Sequence, residues 1–112
     1  MKALLLIFLG ILSASAYSAD LTINTLEGKW RVIPQSDEEA SMGEDHWVFR
    51  EGKFQVYSSG KKVGTADPYR IEGSKIIYGA KPWEVTIKVK SFSNEEMKVN
   101  TSGIAQQLEK VE

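Results

Sequence analysis

Four short glycine-bearing pairs constrain this chain more than any other feature: Glu51-Gly52, Ser59-Gly60, Gly73-Ser74 and Ser102-Gly103. Each separates two runs in which apolar and polar residues alternate. A two-residue hairpin loop needs positive φ at one or both positions, and glycine supplies it. Such a loop also fixes the register of its flanking strands, because one residue of slip turns every side chain to the opposite face.

The register can therefore be read from the turns. Around Glu51-Gly52, Arg50 faces Lys53, Phe49 faces Phe54 and Trp47 faces Val56. Around Ser59-Gly60, Val56 faces Val63 and Phe54 faces Thr65. Around Gly73-Ser74, Ile71 meets Ile76 and Tyr69 meets Tyr78, with Glu72 and Lys75 paired outside. Around Ser102-Gly103, Thr101 meets Ile104, Val99 meets Gln106 and Met97 meets Leu108. Four independent turns place their apolar pairs on one side, as a meander of sequential hairpins requires.

With the strictly alternating Trp83–Lys90 segment added, the pattern predicts eight strands, at about 28–34, 46–50, 53–58, 61–71, 75–78, 83–91, 96–101 and 104–111. Asp67-Pro68 interrupts the fourth and implies a bend or an edge. Val89 and Phe92 have opposite parity, so the sixth must bulge or end near Ser91. The fold class is all-β. A meander this short can stay open, split into two packed sheets or close. Closure removes the exposed edges, which favours a small antiparallel up-and-down β-barrel of about eight strands.

Two segments lie outside the strands. Residues 21–26 are apolar enough to pack as an irregular or one-turn segment across one barrel end. Residues 34–45 form the longest loop. Its Ser36-Asp37-Glu38-Glu39 fits a capping box, and Gly43 is placed to end a helix of one to two turns. The acids Asp37, Glu38, Glu39, Glu44 and Asp45 cluster here with no base among them, while lysines dominate residues 53–98. This segment reads as a solvated loop, a lid over the open end, or a surface for a protein partner.

The first residues have the grammar of a secretory signal peptide: Lys2, an apolar run from Ala3 to Leu12, then small residues to Ala19. The run is about half the ~20 residues that span a bilayer as a helix. Ala14-Ser15-Ala16 suits cleavage after Ala16, and Ala19 offers a second point, leaving one domain over 20–112. No cysteine follows the run, so a lipid anchor is excluded. The expected location is the periplasm or the exterior, with no membrane span in the mature chain.

Zero cysteines exclude disulfides, thiol chemistry and cysteine-held metals. A formal charge of −1 provides no basic stripe for nucleic acid. One histidine, His46, falls on the outer parity, and no G-x-S-x-G, H-E-x-x-H or phosphate loop is present. The sequence therefore points away from an enzyme and calls for no cofactor. Met42, Glu44, Asp45 and His46 cluster, but without calcium-loop spacing they read as a solvated loop rather than a metal site.

Gly28-Lys29-Trp30, opening the first strand after a short apolar segment, resembles the G-x-W motif of lipocalins. Trp47-Val48-Phe49, Gly52-Lys53-Phe54, Tyr69-Arg70-Ile71-Glu72-Gly73 and Gln107-Leu108-Glu109-Lys110 extend the likeness to small bacterial lipocalin-like domains across the mature chain. The resemblance implies that Trp30 closes the bottom of the barrel. In the family an arginine on the last strand often packs on that tryptophan, and here Lys110 holds the place. It also implies a carrier of small molecules.

The residues themselves offer one candidate site. Trp47, Phe49, Phe54, Tyr69, Tyr78 and Trp83 share the inward parity with Thr65, Thr101 and Gln106. An apolar cavity with a few polar groups suits a small apolar or amphipathic ligand. A small eight-stranded barrel can equally be filled by its own side chains. A filled barrel would act through its outer surface, binding a protein or envelope polymer as an inhibitor or assembly factor.

Overall fold

A computed structural model describes residues 19–112. The signal-peptide expectation falls almost wholly outside this range. Eight antiparallel strands run in sequence and close into a barrel: β1 (Gly28–Val32), β2 (Asp45–Arg50), β3 (Lys53–Ser58), β4 (Lys61–Glu72), β5 (Lys75–Tyr78), β6 (Val85–Phe92), β7 (Glu96–Thr101) and β8 (Ile104–Lys110). Closure comes from the β1–β8 seam, where Trp30 pairs with Lys110 and Val32 with Leu108. Two one-turn helices complete the chain, α1 (Ile23–Leu26) and α2 (Asp37–Ala40).

The turns behave as their chemistry requires. Both loop residues have positive φ at Glu51-Gly52, Ser59-Gly60 and Ser102-Gly103, as type I′ hairpins need. At Gly73-Ser74 only the glycine does, as in type II′. The pairings Phe49–Phe54, Trp47–Val56, Val56–Val63, Ile71–Ile76, Tyr69–Tyr78, Met97–Leu108 and Val99–Gln106 follow.

One expected pairing fails. Phe54 lies opposite Asp67, not Thr65, because β4 carries extra residues between Val63 and Asp67. The side chain of Gln55 fills this irregularity. It is buried, and its amide donates to the carbonyls of Val63 (2.9 Å), Val56 (3.2 Å) and Gly64 (3.3 Å). Just beyond it, Pro68 ends the pairing with β3 and Tyr69 begins the pairing with β5. The strand continues through the proline, which sits where its pairing passes from β3 to β5. In β6 the misfit resolves as a bulge: the register shifts between Val89 and Ser91, which turns Phe92 inward and buries it.

The barrel ends differ. The start of β1 and the β2–β3, β4–β5 and β6–β7 connections gather at one end, which α1 caps. Thr22 caps α1, its hydroxyl accepting from the Thr25 amide at 3.1 Å, and Leu26 is fully buried. Trp30, also fully buried, donates from Nε1 to the Leu26 carbonyl at 2.8 Å and lies 5.8 Å from the Phe92 ring. Lys110 sets its Nζ 5.4 Å from the Trp30 centroid and donates to the Thr25 carbonyl at 3.2 Å. Gly28 is required here: its φ is +138°, and a Cβ would collide with the Glu112 carbonyl and Lys110 Cε.

The other end carries the β1–β2 loop with α2, the β3–β4 and β7–β8 turns and the β5–β6 loop. Ser36 caps α2 by accepting from the Glu39 amide at 3.1 Å. The helix is a single turn and ends at Ala40, before Gly43. Gly43 instead lies against the Ser59 side chain in the β3–β4 turn, and its φ of +102° is a conformation that suits glycine.

Trp30→Phe keeps most of the buried area but leaves the Leu26 carbonyl without its donor. A loss of about 1–3 kcal/mol in urea unfolding is expected. Faster amide exchange over residues 22–27 should accompany it, since that bond ties α1 to the barrel.

Candidate functional site

The inner wall holds a connected aromatic group. Phe54 stacks on Phe49 at 4.8 Å and meets Tyr78 at 4.6 Å and Trp47 at 5.5 Å edge-on. Phe49 in turn meets Tyr69 edge-on at 5.2 Å. These separations lie within the favourable range for aromatic pairs. Four of the five rings are buried; Tyr78 is half-buried. Five of the residues singled out from the sequence are thus brought together by β2, β3, β4 and β5.

Two others are not on this wall. Trp83 is 82% exposed. Alternation reaches back to it, but β6 starts only at Val85, opposite Tyr78. Residues 79–84 form a loop in which the Trp83 amide donates to the Ala80 carbonyl at 2.8 Å. Thr65 is exposed, displaced by the β4 irregularity. Gln106 faces Val99 as expected but is half-buried rather than enclosed. His46 lies on the outer face, where its Nε2 is 3.7 Å from Glu44.

The structure singles out two hydroxyls of the inward row. Those of Tyr69 and Thr101 are buried without a hydrogen-bond partner among the described residues. Both belong to the inward row. Tyr69 sits deep, its amide bonded to the Gly52 carbonyl in a turn of the capped end. Thr101 sits next to the β7–β8 turn at the other end. An unpartnered buried hydroxyl costs roughly 1–3 kcal/mol, so each asks for an explanation. Burial, with Glu27 adding to it, raises the Tyr69 pKa; burial, with Asp67 adding to it, raises that of Tyr78. Both phenols are therefore neutral hydrogen-bonding groups at any physiological pH.

Toward the uncapped end the wall stays apolar but loses its cover. Val56 and Val85 are half-buried, and the inward-parity residues Val63 and Ile104 are 51% and 64% exposed. This end, the barrel's mouth, has no buried cap like that of α1. The acidic segment Asp37 to Asp45 borders it on one side, with no buried residue in α2. Between that segment and the strands lies a recess of about 290 Å³ lined by Val32, Pro34, Met42 and Ser58 among others.

No helix among the described residues is long and apolar enough to cross a membrane. The chain matches no protein-family model, no curated protein and no solved structure.

The two phenols give a pH dependence of definite sign. Their folded pKa values lie above the ordinary 10.0, so the unfolded chain loses these protons first as pH rises. The stability they contribute is complete below about pH 10 and is lost above it. Thermal melts between neutral pH and the strongly alkaline range should fall steeply in the wild type. Replacing both tyrosines with Phe should flatten that fall.

Proposed function

We infer that this is an exported, lipocalin-like binding protein that takes a small amphipathic molecule into the open half of its barrel. The carrying observation is the buried Thr101 hydroxyl, which has no hydrogen-bond partner among the described residues, on a wall that is otherwise apolar. A ligand with an apolar body and a polar group accounts for both properties at once. Its body would lie against Val56, Tyr78, Val85 and Trp47, and its polar group would reach the Thr101 hydroxyl, with Gln106 nearby. Ligand pockets have this composition in general: a greasy lining with a few placed polar groups.

The lower half of the barrel argues for a small ligand. Trp30, Phe49, Phe92, Ile76, Met97 and Leu108 are all under 2% exposed, so that half is filled by the protein itself. The site belongs to the mouth and upper wall. Export, to the periplasm or the exterior, rests on the signal-like residues 1–19.

The test uses 1-anilinonaphthalene-8-sulfonate, an amphipathic fluorescent probe, titrated into the folded protein. Saturable binding of one probe per barrel is expected. Thr101→Val, which keeps the shape and removes the hydroxyl, should weaken it by about tenfold, as loss of one good hydrogen bond does. Tyr78→Ala should weaken it as well. No saturable binding, or equal affinity in both variants, would sink this reading. It would favour the filled barrel, with the exposed acids of residues 37–45 as its contact to a protein partner.

A further inference from the structure

We propose that the outer face of β5, β6 and β7 binds an acidic polysaccharide through Lys75, Lys88, Lys90 and Lys98. The strand register gathers these four side chains. Lys75 lies directly opposite Lys88. Lys90 follows two residues along β6 on the same face, and the bulge between Val89 and Ser91 sets Lys98 beside it, opposite Ser91. Neighbouring strands lie ~4.8 Å apart and alternate residues ~6.6 Å, so the four stems rise from one small area. All four are exposed, and none joins an ion pair among the described residues, whereas Arg31, Arg50 and Arg70 each hold a carboxylate.

Like charges directly opposite one another destabilise a sheet, and the usual reasons for surface lysines do not apply here. Lysines guard exposed strand edges, but this barrel is closed and has none. Solubility is served by bases and acids interspersed, and no acid lies among these four. The acids that border the face are engaged or stand at its margin. Glu72 is bound by Arg70 and Glu109 by Arg31. Glu95 lies in the β6–β7 connection, and Glu96 opens β7 beyond Lys98. The chain's net charge of −1 conceals the patch, because Asp37, Glu38, Glu39, Glu44 and Asp45 collect at the opposite end of the barrel.

The surroundings of the lysines select the partner. A lipid surface or a single nucleic-acid strand is held by apolar or aromatic side chains as well as by charge. The outward neighbours here are Thr86, Asn100, Ala105 and Gln107, with no aromatic among them, and Ile77 on the same side is buried. A nucleic-acid duplex is bound across many phosphates by a wider basic surface. A peptide finds neither a free strand edge nor an apolar groove. What the face does offer is amides beside ammonium groups: Asn100 is opposite Lys88, and Gln107 is opposite Lys98. Asn100 accepts from the Gly103 amide at 2.9 Å through Oδ1 and keeps its Nδ2 donors. Ammonium groups pair with carboxylates or sulfates, while amides exchange hydrogen bonds with sugar hydroxyls. A single exposed ion pair contributes little, but one polymer chain engages several together.

The experiment titrates the protein into fluorescein-labelled oligogalacturonate and, separately, labelled dextran sulfate, with neutral dextran as the blank and fluorescence anisotropy as the reading. Saturable binding is expected at low salt, weakening steadily as salt rises, and the two glycans distinguish carboxylate from sulfate as the preferred group. Replacing Lys75, Lys88, Lys90 and Lys98 together with Gln should weaken binding about tenfold. Replacing Lys53, Lys61, Lys62 and Lys81 with Gln removes the same charge elsewhere and should leave affinity within about twofold. The first variant should also melt no lower than the wild type, because the repulsion between Lys75 and Lys88 is relieved, so unfolding does not explain its loss. No saturable binding to either glycan, or an equal loss in the two quadruple variants, overturns the proposal. So does tighter binding to duplex DNA or to phosphatidylglycerol vesicles than to either glycan. Thr101→Val, altered only inside the barrel, should bind the glycan as the wild type does, so this proposal and the ligand site stand or fall separately.

Discussion

The pairing of β1 with β8 is the contact on which everything else rests. It joins the two ends of the described chain, setting Trp30 beside Lys110 and Val32 beside Leu108. Every other strand pair joins neighbours in sequence. This one must be won against the entropy of closing nearly the whole chain into a loop. The seam is accordingly well supplied. The Arg31 guanidinium grips Glu109 across it at 2.6 Å, Trp30 is fully buried behind it, and the Lys110 stem and charge lie over the indole. The ion pair is half-exposed, and such pairs add little stability by themselves. The buried indole and its bond to Leu26 do more. With no disulfide to close the barrel, these contacts have to suffice.

Most of this architecture was legible because hairpin loops are local and their chemistry is visible. A glycine in a two-residue loop dictates the register on both sides, so the inward row could be named residue by residue. The β6 bulge was legible too, since Val89 and Phe92 cannot share a face without one. The irregularity in β4 was not. Gly64-Thr65-Ala66 has little side-chain character to betray parity, and the residue that stabilises it, Gln55, lies on the partner strand and bonds to backbone carbonyls. Thr65 was misplaced for that reason. Trp83 was misplaced for another: alternation gives the phase of a strand but not its start. The hydrogen bond from its amide to Ala80 shows the chain still turning where the pattern already looks extended.

The candidate site was legible as a set of rings but not as a site. Parity named Trp47, Phe49, Phe54, Tyr69 and Tyr78, and the structure joins them. Whether an inward ring fills space or lines it depends on neighbours from strands far away in sequence, which no periodicity records. The same holds for the hydroxyls of Tyr69 and Thr101. A threonine at a strand end and a tyrosine in a strand are both ordinary in a β-protein. Only the closed barrel shows their oxygens buried with no partner.

The contrast between the two ends carries the functional argument. A small domain without disulfides gains from every apolar side chain it can bury. At the α1 end the chain does so: Leu26 folds over the barrel and Gly28 admits the backbone close enough for Lys110 to cover Trp30. At the other end the longest loop carries acids instead of a plug, and Val63 and Ile104 remain open to solvent although their strands point them inward. A sequence selected for stability alone would place an apolar residue in the 34–45 loop to cover them, as it places Leu26 at the opposite end. Met42 is the one large apolar side chain near enough in sequence to serve, and it is turned outward. An uncovered mouth above the buried Thr101 hydroxyl, which has no partner among the described residues, is a destabilising arrangement in the free protein, and a molecule entering from that side would relieve both defects together.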